Sequence, residues 1–184
     1  MLQNKKCPKG KFCFGGLRDV SEAKNCAKGH YCVEATDRQV PCPVGTFNPD
    51  ESGDALSVCQ PCTAGFYCHE KTVTPTLQCD KGYYCPTNIT DGVSDLLIGS
   101  YGVQQVPCPK ATYTNVIGTP NVTSCMPCPV GHFCPTGTAE PNPCPMGYYC
   151  PPDSYTPSPC PIGTYGPSEK LHYRENCTLC DKGR

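Results

Sequence analysis

One heptapeptide of the form Cys-x-x-Gly-x-aromatic-Cys is written six times along this chain: CPKGKFC from Cys7, CAKGHYC from Cys26, CTAGFYC from Cys62, CDKGYYC from Cys79, CPVGHFC from Cys128 and CPMGYYC from Cys144. A hexapeptide lacking the second cysteine appears three times, as CPVGTF from Cys42, CPKATY from Cys108 and CPIGTY from Cys160, and each is followed by a cysteine 17 residues after its own. Self-similarity of this kind defines a repeat architecture before any residue-level reading.

Composition narrows the class. The chain has 184 residues, including 19 Cys, 22 Pro and 18 Gly, and no Trp. So much Pro and Gly breaks long helices and strands, and too little branched apolar volume remains for one conventional core. With 15 basic and 16 acidic residues the net charge is −1, so charge repulsion does not hold the chain open. Covalent cross-linking is the remaining way to stabilise it, and this cysteine content marks a disulfide scaffold in an oxidising compartment. A nucleic-acid partner is excluded for want of a basic stripe; the cluster Lys5, Lys6, Lys9 and Lys11 reads as a solvated loop. No run approaches the roughly 18 apolar residues of a membrane span, and MLQNKKCPKGK lacks the apolar centre of a signal peptide. Together with the cysteines, this reads as a piece of a secreted or cell-surface protein.

The motifs follow a fixed order of heptapeptide, heptapeptide, hexapeptide and closing cysteine. That order divides the chain into cysteine-rich repeats at 1–61, 62–127 and 128–179, with the start of a fourth at 180–184. The second carries an insertion at about 86–107. Short intervals rich in Pro and Gly suit strands of two to four residues in hairpins and leave no room for a long helix. The expected fold is small and disulfide-rich: an elongated rod of tandem repeats, with short β-hairpins and turns and almost no helix.

Six cysteines per repeat allow fifteen pairings. The constant 17-residue interval favours Cys42–Cys59, Cys108–Cys125 and Cys160–Cys177. The heptapeptides are then expected to interlock, giving Cys7–Cys26 and Cys13–Cys32, Cys62–Cys79 and Cys68–Cys85, Cys128–Cys144 and Cys134–Cys150. In Cys-Pro-x-Gly, Pro suits the second position of a tight turn and Gly the fourth. The aromatics that follow are read as miniature cores lying against disulfides, with a carbohydrate-stacking platform as the alternative.

The run CPxGxYC, CPxGxYC, CPxGTY, CxxC resembles the ephrin-receptor-like cysteine-rich repeat, a relative of the tumour-necrosis-factor-receptor and growth-factor-receptor modules. The resemblance runs from Cys7 to Cys180 and implies an extracellular, disulfide-laddered rod, as in receptor ectodomains, matrix proteins and very large surface proteins. It implies no catalytic residues. Ala111 departs from the pattern in place of Gly, as do Ala27, Thr63 and Asp80 in place of Pro.

Other chemistry has weaker support. CQPC, CMPC and CTLC have the dithiol form of redox enzymes, but no helical pattern follows to depress a thiol pKa. The four histidines form no zinc-ligand sets with cysteines, and no Asp-rich calcium loop is present around Asp91 and Asp95. No cofactor and no enzymatic activity are expected. Sequons at Asn88, Asn121 and Asn176 are the candidate sites for N-linked glycans. The Thr/Pro runs at 72–76 and 154–159 read as exposed loops, with O-linked sugars as the alternative. Leu96, Leu97 and Ile98 form the most apolar triplet, either closing over the disulfides of repeat 2 or making a contact patch for a neighbouring chain. Cys180 is left unpaired or belongs to a following repeat. The reading is a structural extracellular protein, a stiff glycosylated rod within a filament, coat or matrix that contacts other copies of itself or neighbouring repeats. The alternative is the stalk of a receptor or adhesion ectodomain.

Overall fold

A computed structural model of the chain describes residues 6–15, 20–87 and 105–181. Its regular structure consists of nine antiparallel pairs of two-residue strands. Each pair joins the aromatic end of one motif to the two residues that precede the next cysteine motif. Lys11–Phe12 pairs with Lys24–Asn25, His30–Tyr31 with Val40–Pro41, and Thr46–Phe47 with Gln60–Pro61. The same arrangement recurs through to Thr164–Tyr165 with Thr178–Leu179. Four single 3-10 turns, Val20–Glu22, Leu56–Val58, Val122–Ser124 and Arg174–Asn176, are the only helical elements among the described residues. The expected small, disulfide-rich fold of short hairpins is therefore what the chain adopts.

The residues group into two compact units. One comprises Met1–Gln78 with Pro86–Gln104, and the other Cys79–Cys85 with Gln105–Arg184. The same local step builds both.

The step begins with a tight turn placed one residue later than the sequence suggests. The closing bond runs from Lys11 N–H to the Pro8 carbonyl at 3.2 Å, so Pro8 holds the first position and Gly10 the third, where φ is +75°. Positive φ at the third position is the requirement of a type II turn, and Gly meets it without steric cost. This corrects the expectation of Pro second and Gly fourth. It also explains why Ala27, Thr63 and Asp80 replace Pro freely, since His30, Phe66 and Tyr83 close the same turn onto them. Ala111 keeps the conformation at φ +67°, bearing a Cβ where its counterparts have none.

Disulfides follow from that turn. By reversing the chain inside the heptapeptide, it brings cysteines six residues apart to Cα separations of 5.8–6.0 Å, within the range a disulfide spans. The heptapeptide bridges are Cys7–Cys13, Cys26–Cys32, Cys62–Cys68, Cys79–Cys85, Cys128–Cys134 and Cys144–Cys150. The interlocked scheme is thus overturned: Cys7–Cys26, Cys13–Cys32, Cys62–Cys79, Cys68–Cys85, Cys128–Cys144 and Cys134–Cys150 do not form, because each cysteine meets its partner within its own turn. The hexapeptides bond at the longer interval, as Cys42–Cys59, Cys108–Cys125 and Cys160–Cys177. By loop-closure entropy each short ring contributes about 2 kcal/mol and each longer one about 3 kcal/mol.

Backbone hydrogen bonds, not disulfides, join one turn to the next. In the first unit Cys26 N–H donates to the Gly10 carbonyl, and Gly10 N–H donates to the Cys32 carbonyl, both at 2.9 Å. Ala35 N–H donates to the Cys7 carbonyl, and Cys13 N–H donates to the carbonyl of Thr36. The second unit repeats the set one motif after another, for example Cys128 to Ala111, Ala111 to Cys134, Gly137 to Cys108 and Thr114 to Thr138. These bonds cross positions 61/62 and 127/128 as readily as positions within a repeat: Cys62 N–H donates to the Gly45 carbonyl just as Cys128 N–H donates to that of Ala111.

What is buried is mostly sulfur. Cys26, Cys32, Cys42, Cys79, Cys108, Cys134, Cys144 and Cys150 are fully enclosed, and Leu171 is the only aliphatic side chain buried among the described residues. The aromatics Phe12, Tyr31, Tyr67 and Phe133 are half-buried, and Tyr165 is exposed. None of these rings is buried, so they do not form the closed miniature cores expected of them.

Candidate surface and modification sites

Each motif places its seventh residue at the same point of the step, and three of these residues are not cysteine. Asn48, Thr114 and Gly166 are all buried. Each offers its carbonyl to the turn residue of the preceding motif, Gly29, Gly82 and Gly147 respectively. Asn48 compensates for the missing bridge with its side chain: Nδ2 donates to the His30 carbonyl at 2.9 Å, and Oδ1 accepts from Asp50 N–H at 3.1 Å. Thr114 shares a hydrogen bond with Thr119 at 3.3 Å. At Gly166 a Cβ would stand 2.7 Å from the Gly147 nitrogen, so only glycine fits. Sequence reasoning missed all three because Asn, Thr and Gly share no side-chain type. Their common distance from the motif cysteine was the available signal.

A second missed set is the residue that ties each turn back to the one before it. Ala35, Ser52, Lys71, Asp153 and Lys170 take positive φ between +58° and +67°, as do Gly118 and Gly137 with slightly larger values. Ser52, Lys71, Gly118, Gly137 and Lys170 donate N–H to the first cysteine of an earlier motif: Cys26, Cys42, Cys79, Cys108 and Cys144. The carbonyls of Ser52, Lys71 and Gly137 also lie against Gly10, Gly29 and Gly82, leaving those glycines no room for a side chain. Gly10, Gly29 and Gly82 are thus required twice, by their own φ and by a loop two motifs further on, whereas Gly147 and Gly163 have open space beside them and are required by φ alone.

The sequons differ in setting. Asn121 is exposed and precedes the 3-10 turn Val122–Ser124; the Thr123 hydroxyl donates to its Oδ1, and its Nδ2 makes no hydrogen bond among the described residues. Asn176 is exposed in the corresponding turn of the last motif, where its Oδ1 accepts from Tyr173 N–H at 3.0 Å beside the bridged Cys177. Asn88, Leu96, Leu97 and Ile98 lie outside the described residues.

The CxxC cysteines part company. Cys59 bonds to Cys42 while Cys62 bonds to Cys68, and Cys125 bonds to Cys108 while Cys128 bonds to Cys134. Cys180 is exposed with a free thiol, and its N–H donates to the Gly163 carbonyl at 2.9 Å. Among the described residues no three His, Cys, Asp or Glu side chains converge as metal ligands, and no helix is long and apolar enough to cross a membrane.

No protein-family model matches the chain. It is 30% identical over 103 residues to the Sushi, von Willebrand factor type A, EGF and pentraxin domain-containing protein 1 of Rattus norvegicus, a stretch covering 52% of this chain and 3% of that protein. It is 37% identical over 93 residues to the ABC transporter G family member 25 of Oryza sativa subsp. japonica, covering 46% of this chain and 8% of that protein. The similarity therefore concerns a small segment of each relative.

Proposed function

We propose that this chain is a non-catalytic spacer of the extracellular space, a stiff rod of ephrin-receptor-like cysteine-rich turns that forms part of a filament, coat or matrix. The observation that carries the reading is the repeated step. Within each unit the turns lock themselves with a cystine or a buried substitute and hand the same backbone bonds to their neighbours, so that ordering one turn positions the next. Nine disulfides are stable in an oxidising compartment, which favours a secreted or cell-surface location. The similarity to a rat protein named for Sushi, EGF and pentraxin domains accords with that setting. Neighbouring repeats or other copies of the chain are the expected partners, and Asn88, Asn121 and Asn176 are the expected sites of N-linked glycans.

Small-angle scattering of the secreted, oxidised chain tests the shape. A compact globule of this length has a radius of gyration of about 16 Å. The rod predicts a value well above that with a cross-section of one motif, and a value near the globular one overturns it. Release of Asn-linked glycan by a peptide N-glycosidase tests the glycoprotein reading.

A further inference from the structure

We infer that Thr74 and Thr156 are acceptors for O-linked glycosylation, at one register of the step. The inference rests on the extracellular reading above. Both residues lie six positions after the second cysteine of a heptapeptide, Cys68 and Cys150, and both precede a proline, Pro75 and Pro157. Both are exposed, and neither hydroxyl makes a hydrogen bond among the described residues.

The neighbouring hydroxyls provide the contrast. Two residues earlier, Thr72 Oγ1 donates to the His69 carbonyl and Ser154 Oγ donates to the Pro151 carbonyl, so those oxygens are held inside the loop. Thr46, Thr112 and Thr164 likewise donate to Pro43, Pro109 and Pro161. Thr74 and Thr156 are free to turn outward, and the following proline biases their backbone toward the extended form that an enzyme cleft admits. Thr74 also borders a shallow cleft walled by Tyr67, Val73 and Leu77, on whose apolar surface a sugar attached there can rest. Clustered Thr, Ser and Pro are the composition of O-glycosylated segments.

The donor is a nucleotide-activated sugar held by a transferase. The threonine Oγ attacks the anomeric carbon and forms the new C–O bond. The bond from that carbon to the diphosphate breaks, a nucleoside diphosphate leaves, and the hydroxyl proton passes to a base of the transferase.

The test uses the full chain recovered from the medium of a eukaryotic secretory host. After reduction, trypsin yields the peptide 72–81 and chymotrypsin the peptide 156–165. Fragmentation that preserves the glycosidic bond is expected to place hexose or N-acetylhexosamine mass on Thr74 and Thr156. Thr74→Val and Thr156→Val should remove it, and Thr72→Val should leave it in place. Both peptides at unmodified mass, or sugar on Thr72 instead, overturn the inference. Scattering from the same preparation reports on the rod separately.

Discussion

The side-chain amide of Asn48 donates to the main-chain carbonyl of His30 at 2.9 Å, tying a turn that lacks its second cysteine to the turn before it. The same side chain accepts from Asp50 N–H, so one buried amide does locally what a cystine does elsewhere. Asn48→Ala removes both bonds to a part-buried carbonyl and N–H, at a cost of about 1 kcal/mol. Amide exchange at Asp50 should accelerate while exchange near Cys144 and Cys150 stays unchanged. Unaltered exchange at Asp50 counts against this role.

Peptide mapping under non-reducing conditions should recover Cys7 linked to Cys13 and Cys128 linked to Cys134. The interlocked alternative predicts Cys7 with Cys26 and Cys128 with Cys144. The decisive fragments separate 7–13 from 26–32.

Stepwise reduction should follow accessibility. Cys59, Cys125 and Cys177 are half-exposed, whereas both cysteines of Cys26–Cys32, Cys79–Cys85 and Cys144–Cys150 are buried. A thiolate must reach a sulfur to exchange with it. Cys13 is half-exposed as well, so brief treatment with a small thiol, followed by alkylation, should label Cys7–Cys13, Cys42–Cys59, Cys108–Cys125 and Cys160–Cys177 first. Earlier labelling of Cys26 and Cys32 contradicts the prediction.

Ala111 occupies a turn position at φ +67°, a left-handed conformation that costs an L-residue about 1–2 kcal/mol. Ala111→Gly should stabilise the second unit by about 1 kcal/mol, less the extra entropy of an unfolded glycine. The reverse change at Gly82 should be worse than its φ alone implies, because a Cβ there also presses on the Gly137 carbonyl. Denaturant unfolding of the oxidised variants measures both. Equal stability of Ala111→Gly and the parent disagrees with the account.

Gly166→Ala introduces a Cβ at 2.7 Å from the Gly147 nitrogen and displaces the bond from Gly147 N–H to the Gly166 carbonyl. Faster exchange at Gly147 is the expected signature.

The cysteine spacing carries much of this fold in plain view. The periodic heptapeptide shows that the chain is built from short, cross-linked turns. The 17-residue interval singles out the pairs that the hexapeptides make. The heptapeptide pairing was not legible, because a spacing of six becomes a bridge only once the turn is known to centre on Lys9 and Gly10 rather than Pro8 and Lys9. The positive-φ residues were invisible for a different reason. Ala35, Ser52, Lys71 and Asp153 are chosen for a backbone conformation, and their side chains do not announce it. The surface sites divide in the same way. Asn121 and Asn176 can be read as letters, whereas the free hydroxyls of Thr74 and Thr156 emerge only beside the bonded ones of Thr72 and Ser154.

The backbone bonds between turns have a mechanical consequence. Tension applied to the two ends of a segment loads its steps in series, and each is held by a few peptide hydrogen bonds that yield singly and reform singly. The cystine ring inside every heptapeptide keeps its residues from paying out, so a yielding step lengthens only by the loop between rings. A stretched segment is therefore expected to lengthen in small increments set by the loops between rings.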